Sequence, residues 1–221
     1  MNNIFLFIGP GYNEKRKFIK SLEINENSYN FKNIFIVTND INNKLYFLNT
    51  KYKNNIIYYE HKEKQVDCCN FVLRSLQEIK KNQDIEEEDI LIICHEDCFI
   101  NDIKLFNVVL NNMKKYDLIC REYPDKRYNR KNYIMNDIIF LKKKILKNSN
   151  INLLTQLPNI KFQNYCEGYL TENIWNKCNN KLKISYTHCT KGDTELGFYH
   201  EPSNGIIGKK WDKKNINNIF S

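Results

Sequence analysis

Apolar residues in this chain fall into short unbroken runs, separated by stretches in which they recur at helical spacing. Ile4-Phe5-Leu6-Phe7-Ile8, Ile34-Phe35-Ile36-Val37, Ile56-Ile57-Tyr58-Tyr59 and Ile90-Leu91-Ile92-Ile93-Cys94 are such runs. Runs this short and this apolar predict strands buried on both faces, as in a parallel sheet. Between them the period changes. A helix is expected from Asn13 to about Leu22, with Asn13 as cap and Phe18, Ile19 and Leu22 on one face. Leu45 to Leu48 predicts a short helix. Val66 to Lys81 predicts a longer amphipathic one, with Cys69, Val72, Leu73, Leu76 and Ile79 in register.

The second half is less regular. Ile103 to Met113 reads as a helix, Asp117 to Cys120 as a strand, and Tyr123 to Asn132 as a charged loop. Tyr133 to Leu141 reads as a strand or strand pair passing into a basic helix up to about Lys147. Gly168 to Cys178 predicts a short helix around Trp175, and Leu182 to Tyr186 a last strand. From His188 onward the chain reads as an irregular tail punctuated by Gly192, Gly197, Gly205 and Gly208. Alternating strands and helices imply right-handed crossovers and a mainly parallel sheet. The fold class is therefore α/β: a Rossmann-like, mainly parallel sheet flanked by helices, with a less regular C-terminal portion. One domain over residues 1–221 is expected, divided into a first half (1–100), an acceptor half (101–190) and a tail or lid (191–221).

Composition narrows this picture. The 221 residues are 42% hydrophobic, enough for one core, and hold few Gly (7) or Pro (4), which argues against repeats or loop-rich folds. The formal charge of +8 favours anionic partners, including an acidic membrane face. No compact basic block is interleaved with aromatics, so nucleic acid is not an expected partner. Of the eight cysteines, Cys68, Cys69, Cys94 and Cys120 lie in apolar patterns, where thiols act as small hydrophobes. A reducing, cytoplasmic setting is the expectation. Ile4 to Ile8 reads as a first strand rather than a signal peptide.

The candidate chemistry sits where the fourth run stops, at His95-Glu96-Asp97. Ligands of open α/β sheets bind beyond the carboxyl ends of the strands. The acids are therefore placed where a phosphate-bearing substrate and its cation would lie. The competing expectation is a helix cap, with Asp97 or Asn101 opening the next helix. Gly9-Pro10-Gly11 after the first strand is not a dinucleotide fingerprint.

In order and spacing, Ile34 to Asp40, Val66 to Lys81, His95-Glu96-Asp97, Tyr116 to Cys120 and Ile138 to Lys144 resemble the GT-A nucleotide-diphospho-sugar glycosyltransferases. The resemblance covers roughly residues 1–190 and is one of pattern. It implies sugar transfer from a nucleotide-sugar donor to a glycan, lipid or protein acceptor, with peripheral membrane association compatible with it. It also implies a divalent cation, Mn2+ or Mg2+. The family's Asp-x-Asp motif falls on His95-Glu96-Asp97, with histidine in first place. Asp97 is then the cation ligand, Glu96 a second acid beside it, and His95 the residue at the sugar-nucleotide, with an imidazole suited to manganese. A metal-free site using Lys or Arg against the diphosphate is the alternative. Gly9 and Tyr12, after the first strand, would lie at the base, and Asp40 near uracil or ribose. His200 corresponds to a late histidine that returns to the metal. An inverting reaction needs a base for the acceptor hydroxyl, and Glu167, Glu172 and Asp193 are the candidates, Glu167 foremost. The Gly-rich tail could order as a lid on donor binding.

Three other readings stay open. A non-catalytic binding domain would keep this fold without the chemistry. A structural zinc protein would use Cys94, His95, Cys98 and His188-Cys189, without any Cys-x-x-Cys pair. A nucleotidyltransferase on a related sheet would need a longer glycine-rich phosphate loop than Gly9-Pro10-Gly11.

Overall fold

A computed structural model describes residues 2–9, 15–60, 67–123, 133–147, 149, 151, 170–171, 174–175, 180–185 and 192–200. The apolar runs become strands β1 (Ile4–Gly9), β2 (Asn33–Thr38), β3 (Ile56–Tyr58) and β4 (Ile90–His95). Helices α1 (Lys15–Ser28), α2 (Ile41–Phe47) and α3 (Asp67–Lys81) intervene. A short β5 (Cys98–Ile100) follows β4, then α4 (Ile103–Asn112), β6 (Leu118–Tyr123) and β7 (Tyr133–Lys142). Later come β8 (Lys181–Ser185), β9 (Gly192–Asp193) and β10 (Phe198–His200).

The main sheet has seven strands in the order β3-β2-β1-β4-β7-β6-β8. The first four are mutually parallel, β6 and β8 pair in parallel, and β7 alone runs against both its neighbours. The mainly parallel α/β class expected from the sequence is the class observed. Alternation along the strands explains the layers. Phe5, Phe7, Leu91 and Ile93 face one core with Phe71, Val72, Leu73, Leu76 and Ile79 of α3. Ile4, Leu6, Ile8, Ile90 and Ile92 face the other with Phe18 and Leu22 of α1 and Phe106 and Val109 of α4. Each fully buried side chain of this kind contributes about 1.5–3 kcal/mol, so both faces hold the central strands in register.

Local chemistry sets the helix ends. Asp40 caps α2 by accepting from the Asn42 amide at 2.8 Å. Asp102, rather than Asp97 or Asn101, caps α4, accepting from Leu105 N at 3.1 Å. The expected basic helix after β7 is instead a four-residue 3-10 turn, Lys143–Leu146. There Lys142 and Lys144 both pair with Glu88 and Asp117, and those pairs fix the chain more tightly than a solvated helix would be fixed.

The tail differs most from expectation. Residues 192–200 are not irregular: β10 pairs antiparallel with β9 and with β5, forming a second, three-stranded sheet. Its signal is too short for sequence patterning, because β9 has two residues and β10 and β5 three each. The opposite edge of β5 is served by a side chain. Buried Asn25 of α1 donates to Cys98 O at 3.0 Å and accepts from Ile100 N at 2.9 Å. Tyr186, the expected short helix at Gly168–Cys178 for the most part, and the tail beyond His200 lie outside the described residues.

Gly197 makes the β9–β10 turn. Its φ is +80°, and a Cβ there would sit 2.6 Å from Phe106 N and 2.8 Å from Asp102 O. Its carbonyl meanwhile accepts from Asn101 N and Asp102 N at 3.0 and 3.2 Å. Gly197→Ala is expected to lower the unfolding free energy by about 1–3 kcal/mol through strain and overpacking. A urea unfolding midpoint at the wild-type value would show the turn to be slack.

Candidate functional site

The site forms where β4 runs out. Gly9 is the register partner of His95 on β1. A Cβ on Gly9 would meet the Phe71 ring at 2.5 Å and Val37 O at 2.7 Å, so only glycine lets β1, β2 and α3 close up here. The Gly9 carbonyl accepts from Glu96 N at 2.8 Å, which fixes the start of the β4–β5 turn. The His95 ring lies 6.0 Å from that of Phe71 and 6.0 Å, edge-on, from that of His200.

His200 arrives through β10. Its backbone pairs with Cys98, one residue beyond Asp97. One ligand atom each from His95, Asp97 and His200 lies within 4.8 Å of the others, the metal-capable group found among the described residues. His200 Nε2 faces Asp97 Oδ1 at 3.2 Å, and its Nδ1 faces Asp137 Oδ2 at 3.3 Å. Asp137 in turn pairs with Arg121 at 2.5 Å, and Arg121 Nε lies 3.2 Å from Glu195 Oε2. Asp137, Arg121, Glu195 and His200 are at most 3% exposed. The bulge between Cys120 and Glu122, where β6 slips against β7, is the place at which the strands admit these charges.

Electrostatics follow from the burial. Burial alone would raise the Asp137 carboxyl, but the Arg121 charge, the His200 hydrogen bond and the charges of His200 and His95 hold it below the usual carboxylate range. Burial works against a charged His200, yet its contacts with Asp137 and Asp97 win and raise it. Glu195 is raised, chiefly by burial, against the pull of Arg121. Three carboxylates against one guanidinium leave two negative charges when the imidazoles are neutral. Protons on His200 and Glu195 are the metal-free way to balance them, and a divalent cation is the other.

The residues singled out in the sequence divide accordingly. His95, Asp97 and His200 converge, and Gly9 sits beside them. Glu96 is buried in the turn, 4% exposed, and is not in the metal-capable group. Asp40 is engaged as the cap of α2. Asp193 accepts from Asn101 Nδ2 on β9. Tyr12, Glu167, Glu172 and His188-Cys189 lie outside the described residues. Cys94 is a buried free thiol, raised well above its ordinary value by burial and by Asp97 and Asp137. It is not part of the ligand group, and Cys98 is likewise a buried free thiol. Sequence reasoning missed Arg121, Asp137 and Glu195. The available signal was an Asn136-Asp137 pair and an Arg121-Glu122 pair interrupting apolar strands.

No family model matches the chain, and no curated protein matches it by sequence. Solved structures do match it. Residues 1–349 of TarS from Staphylococcus aureus superpose with a TM-score of 0.52 at 14% identity, over 85% of this chain and 59% of that one. The 4-diphosphocytidyl-2C-methyl-D-erythritol synthase of Anaerococcus prevotii gives 0.50 at 13% identity, over 84% and 86%. A glycosyltransferase involved in glycosylation of the major capsid of PBCV-1 gives 0.46 at 12%, over 83% and 81%. The chain has a nucleotide-diphospho-sugar transferase-like fold. Among the described residues no helix is long and apolar enough to cross a membrane.

The charged cluster sets a pH window. His200 is raised on folding, so its contribution is complete below its unfolded value of about 6.5 and is lost as pH climbs through the folded value. Asp137 is lowered, so its contribution is complete above about 3.9 and is lost as pH falls toward the folded value. Glu195, raised, contributes fully below about 4.3 and loses that contribution as pH climbs through its folded value, which draws the optimum toward the acid end of the window. Metal-free protein is expected to melt highest between roughly pH 4 and 6.5. A melting temperature still climbing near pH 8 would contradict these ionisation states.

Proposed function

We propose that the protein is a nucleotide-sugar-dependent glycosyltransferase whose divalent cation is held by His95, Asp97 and His200. The observation that carries this reading is the convergence of those three side chains at the carboxyl end of β4, in a transferase-like sheet. A diphosphate leaving group gains negative charge as the glycosidic bond breaks, and a cation at that edge supplies the compensating charge. Two imidazoles and one carboxylate suit a first-row transition ion such as Mn2+ better than Mg2+, which prefers oxygen ligands. The net negative charge of the buried cluster fits a dication.

Within this reading Gly9 lies beside the nucleotide, with Tyr12 and Asp40 at the base and ribose. Glu167 or Glu172 takes the acceptor proton if the reaction inverts. The acceptor is a glycan, lipid or protein, and a cytoplasmic site with peripheral membrane contact is part of the proposal. Nucleotidyl transfer is the second reading, favoured by the likeness to the Anaerococcus synthase. The short Gly9-Pro10-Gly11 turn weighs against it, since that chemistry wants a longer phosphate loop.

The test is a thermal-shift screen of nucleoside diphosphates and nucleotide-sugars, with and without Mn2+. A ligand at a hundred times its Kd adds about 2.7 kcal/mol, which for a domain of this size is a rise on the order of 5–10 °C. Asp97→Ala is expected to abolish the Mn2+-dependent part while leaving the protein folded, with a lower metal-free melt through the lost His200 contact. An unchanged shift would remove Asp97 from the cation site.

Because His200 must be neutral to bind metal, protons compete for the site. Mn2+ affinity is therefore expected to rise with pH through the raised His200 value, beyond the range in which a free imidazole would have finished titrating. Isothermal titration at several pH values, with proton release read from two buffers, checks this. An affinity already flat above about pH 7.5, where a free imidazole is essentially deprotonated, would contradict it.

A further inference from the structure

Asp137 has no place in the ligand group, yet it is a buried charge held from two sides. It lies 1% exposed on β7, the strand that runs against its neighbours, fixed from one side by Arg121. From the other side it meets Nδ1 of His200 at 3.3 Å. Arg121 is held in turn by Glu195, which sits in the β9–β10 turn three residues before Phe198 opens the strand that carries His200. An imidazole has two nitrogens, and whichever hydrogen-bonds to a fixed carboxylate keeps its proton and leaves the other as the ligand. Nε2 of His200 is the nitrogen turned toward Asp97.

We propose that Asp137 is a positioning residue. It holds His200 in the Nδ1–H form with Nε2 directed at the cation, while Arg121 keeps Asp137 in place and Glu195 holds Arg121. This rests on the proposed cation site and names a residue outside it. The arrangement explains why a carboxylate is buried in the middle of an otherwise apolar strand. A hydrophobic residue there would strand the Arg121 guanidinium and would also leave the imidazole free to present either nitrogen. It also separates two roles within one network. Asp137 meets the ligand histidine, whereas Glu195 pairs with Arg121.

That separation gives the test. Mn2+ binding to purified protein is titrated by electron paramagnetic resonance of the free ion, without nucleotide, for wild type, Asp137→Asn and Glu195→Gln. Loss of a hydrogen-bonded partner of a metal histidine commonly weakens binding about tenfold to a hundredfold. Asp137→Asn is expected to fall in that range, because an amide can donate to Nδ1 as well as accept from it and so no longer dictates the tautomer. Glu195→Gln is expected to lower the melting temperature while leaving Mn2+ affinity within about twofold, since a neutral amide still accepts from Arg121. Equal affinity in wild type and Asp137→Asn overturns the inference while leaving the cation site standing. Equal losses in both variants also overturn it, because the network would then be merely structural. A wild type that binds no Mn2+ sinks the cation site and the inference together.

A second measurement needs no variant, and it decides the matter if Asp137→Asn does not fold. Long-range nitrogen–proton correlation spectra of wild type loaded with Zn2+, a diamagnetic probe, report the tautomer of each of the four histidines. The expected state is His200 protonated at Nδ1 with metal on Nε2. Metal on Nδ1, or a His200 signal unmoved by zinc, overturns the proposal.

Discussion

A charge inside a β-sheet survives only with a partner, and the pairing of Arg121 with Asp137 is the constraint around which the rest of this molecule is arranged. Both side chains are almost wholly buried between strands β6 and β7. Unpaired, either would cost several kcal/mol. Paired, they pass the charge problem outward, to His200 on one side and Glu195 on the other. The bulge in β7, the placement of β10 and the ionisation of His200 all lie against that one pair.

The two sheets divide the labour. The seven-stranded sheet is rigid because its central strands are buried on both faces, and it fixes where His95 and Asp97 stand. The three-stranded sheet is small and would not persist alone. It is held by the β5 pairing, by Asn25 acting as a surrogate backbone for β5, and by the packing of Leu196 and Phe198 into the core beside Phe106 and Phe140. His200 therefore owes its position to residues contributed by α1, α4, β5 and β7. A site assembled from such separated segments is typical of folds in which the sheet supplies a platform and later chain supplies the chemistry.

Much of the platform was legible in the sequence, because strong, unmixed signals encode it. Ile90 to Cys94 is apolar without interruption, and the spacing of Val72, Leu73, Leu76 and Ile79 belongs to a helix and nothing else. The carboxyl-end rule then put His95 and Asp97 at an edge. What escaped was short or non-local. Cys98–Ile100 and Phe198–His200 are too brief to show a period of two, and each is a strand only because the other exists. Arg121, Asp137 and Glu195 are ordinary polar letters until the fold buries them together. The 3-10 turn at Lys143–Leu146 has the letters of a basic helix, and what distinguishes it is non-local: the Glu88 and Asp117 carboxylates that clasp Lys142 and Lys144.

The late arrival of β10 has a bearing on biogenesis. Arg121 and Asp137 are synthesised some sixty to eighty residues before Glu195 and His200. Until the hairpin is made, these two charges can pair with each other but lack the cover that Glu195 and His200 bring. The last-made segment therefore closes over a balanced pair, and by adding Glu195 it is also the segment that turns that pair into an acid-rich cluster.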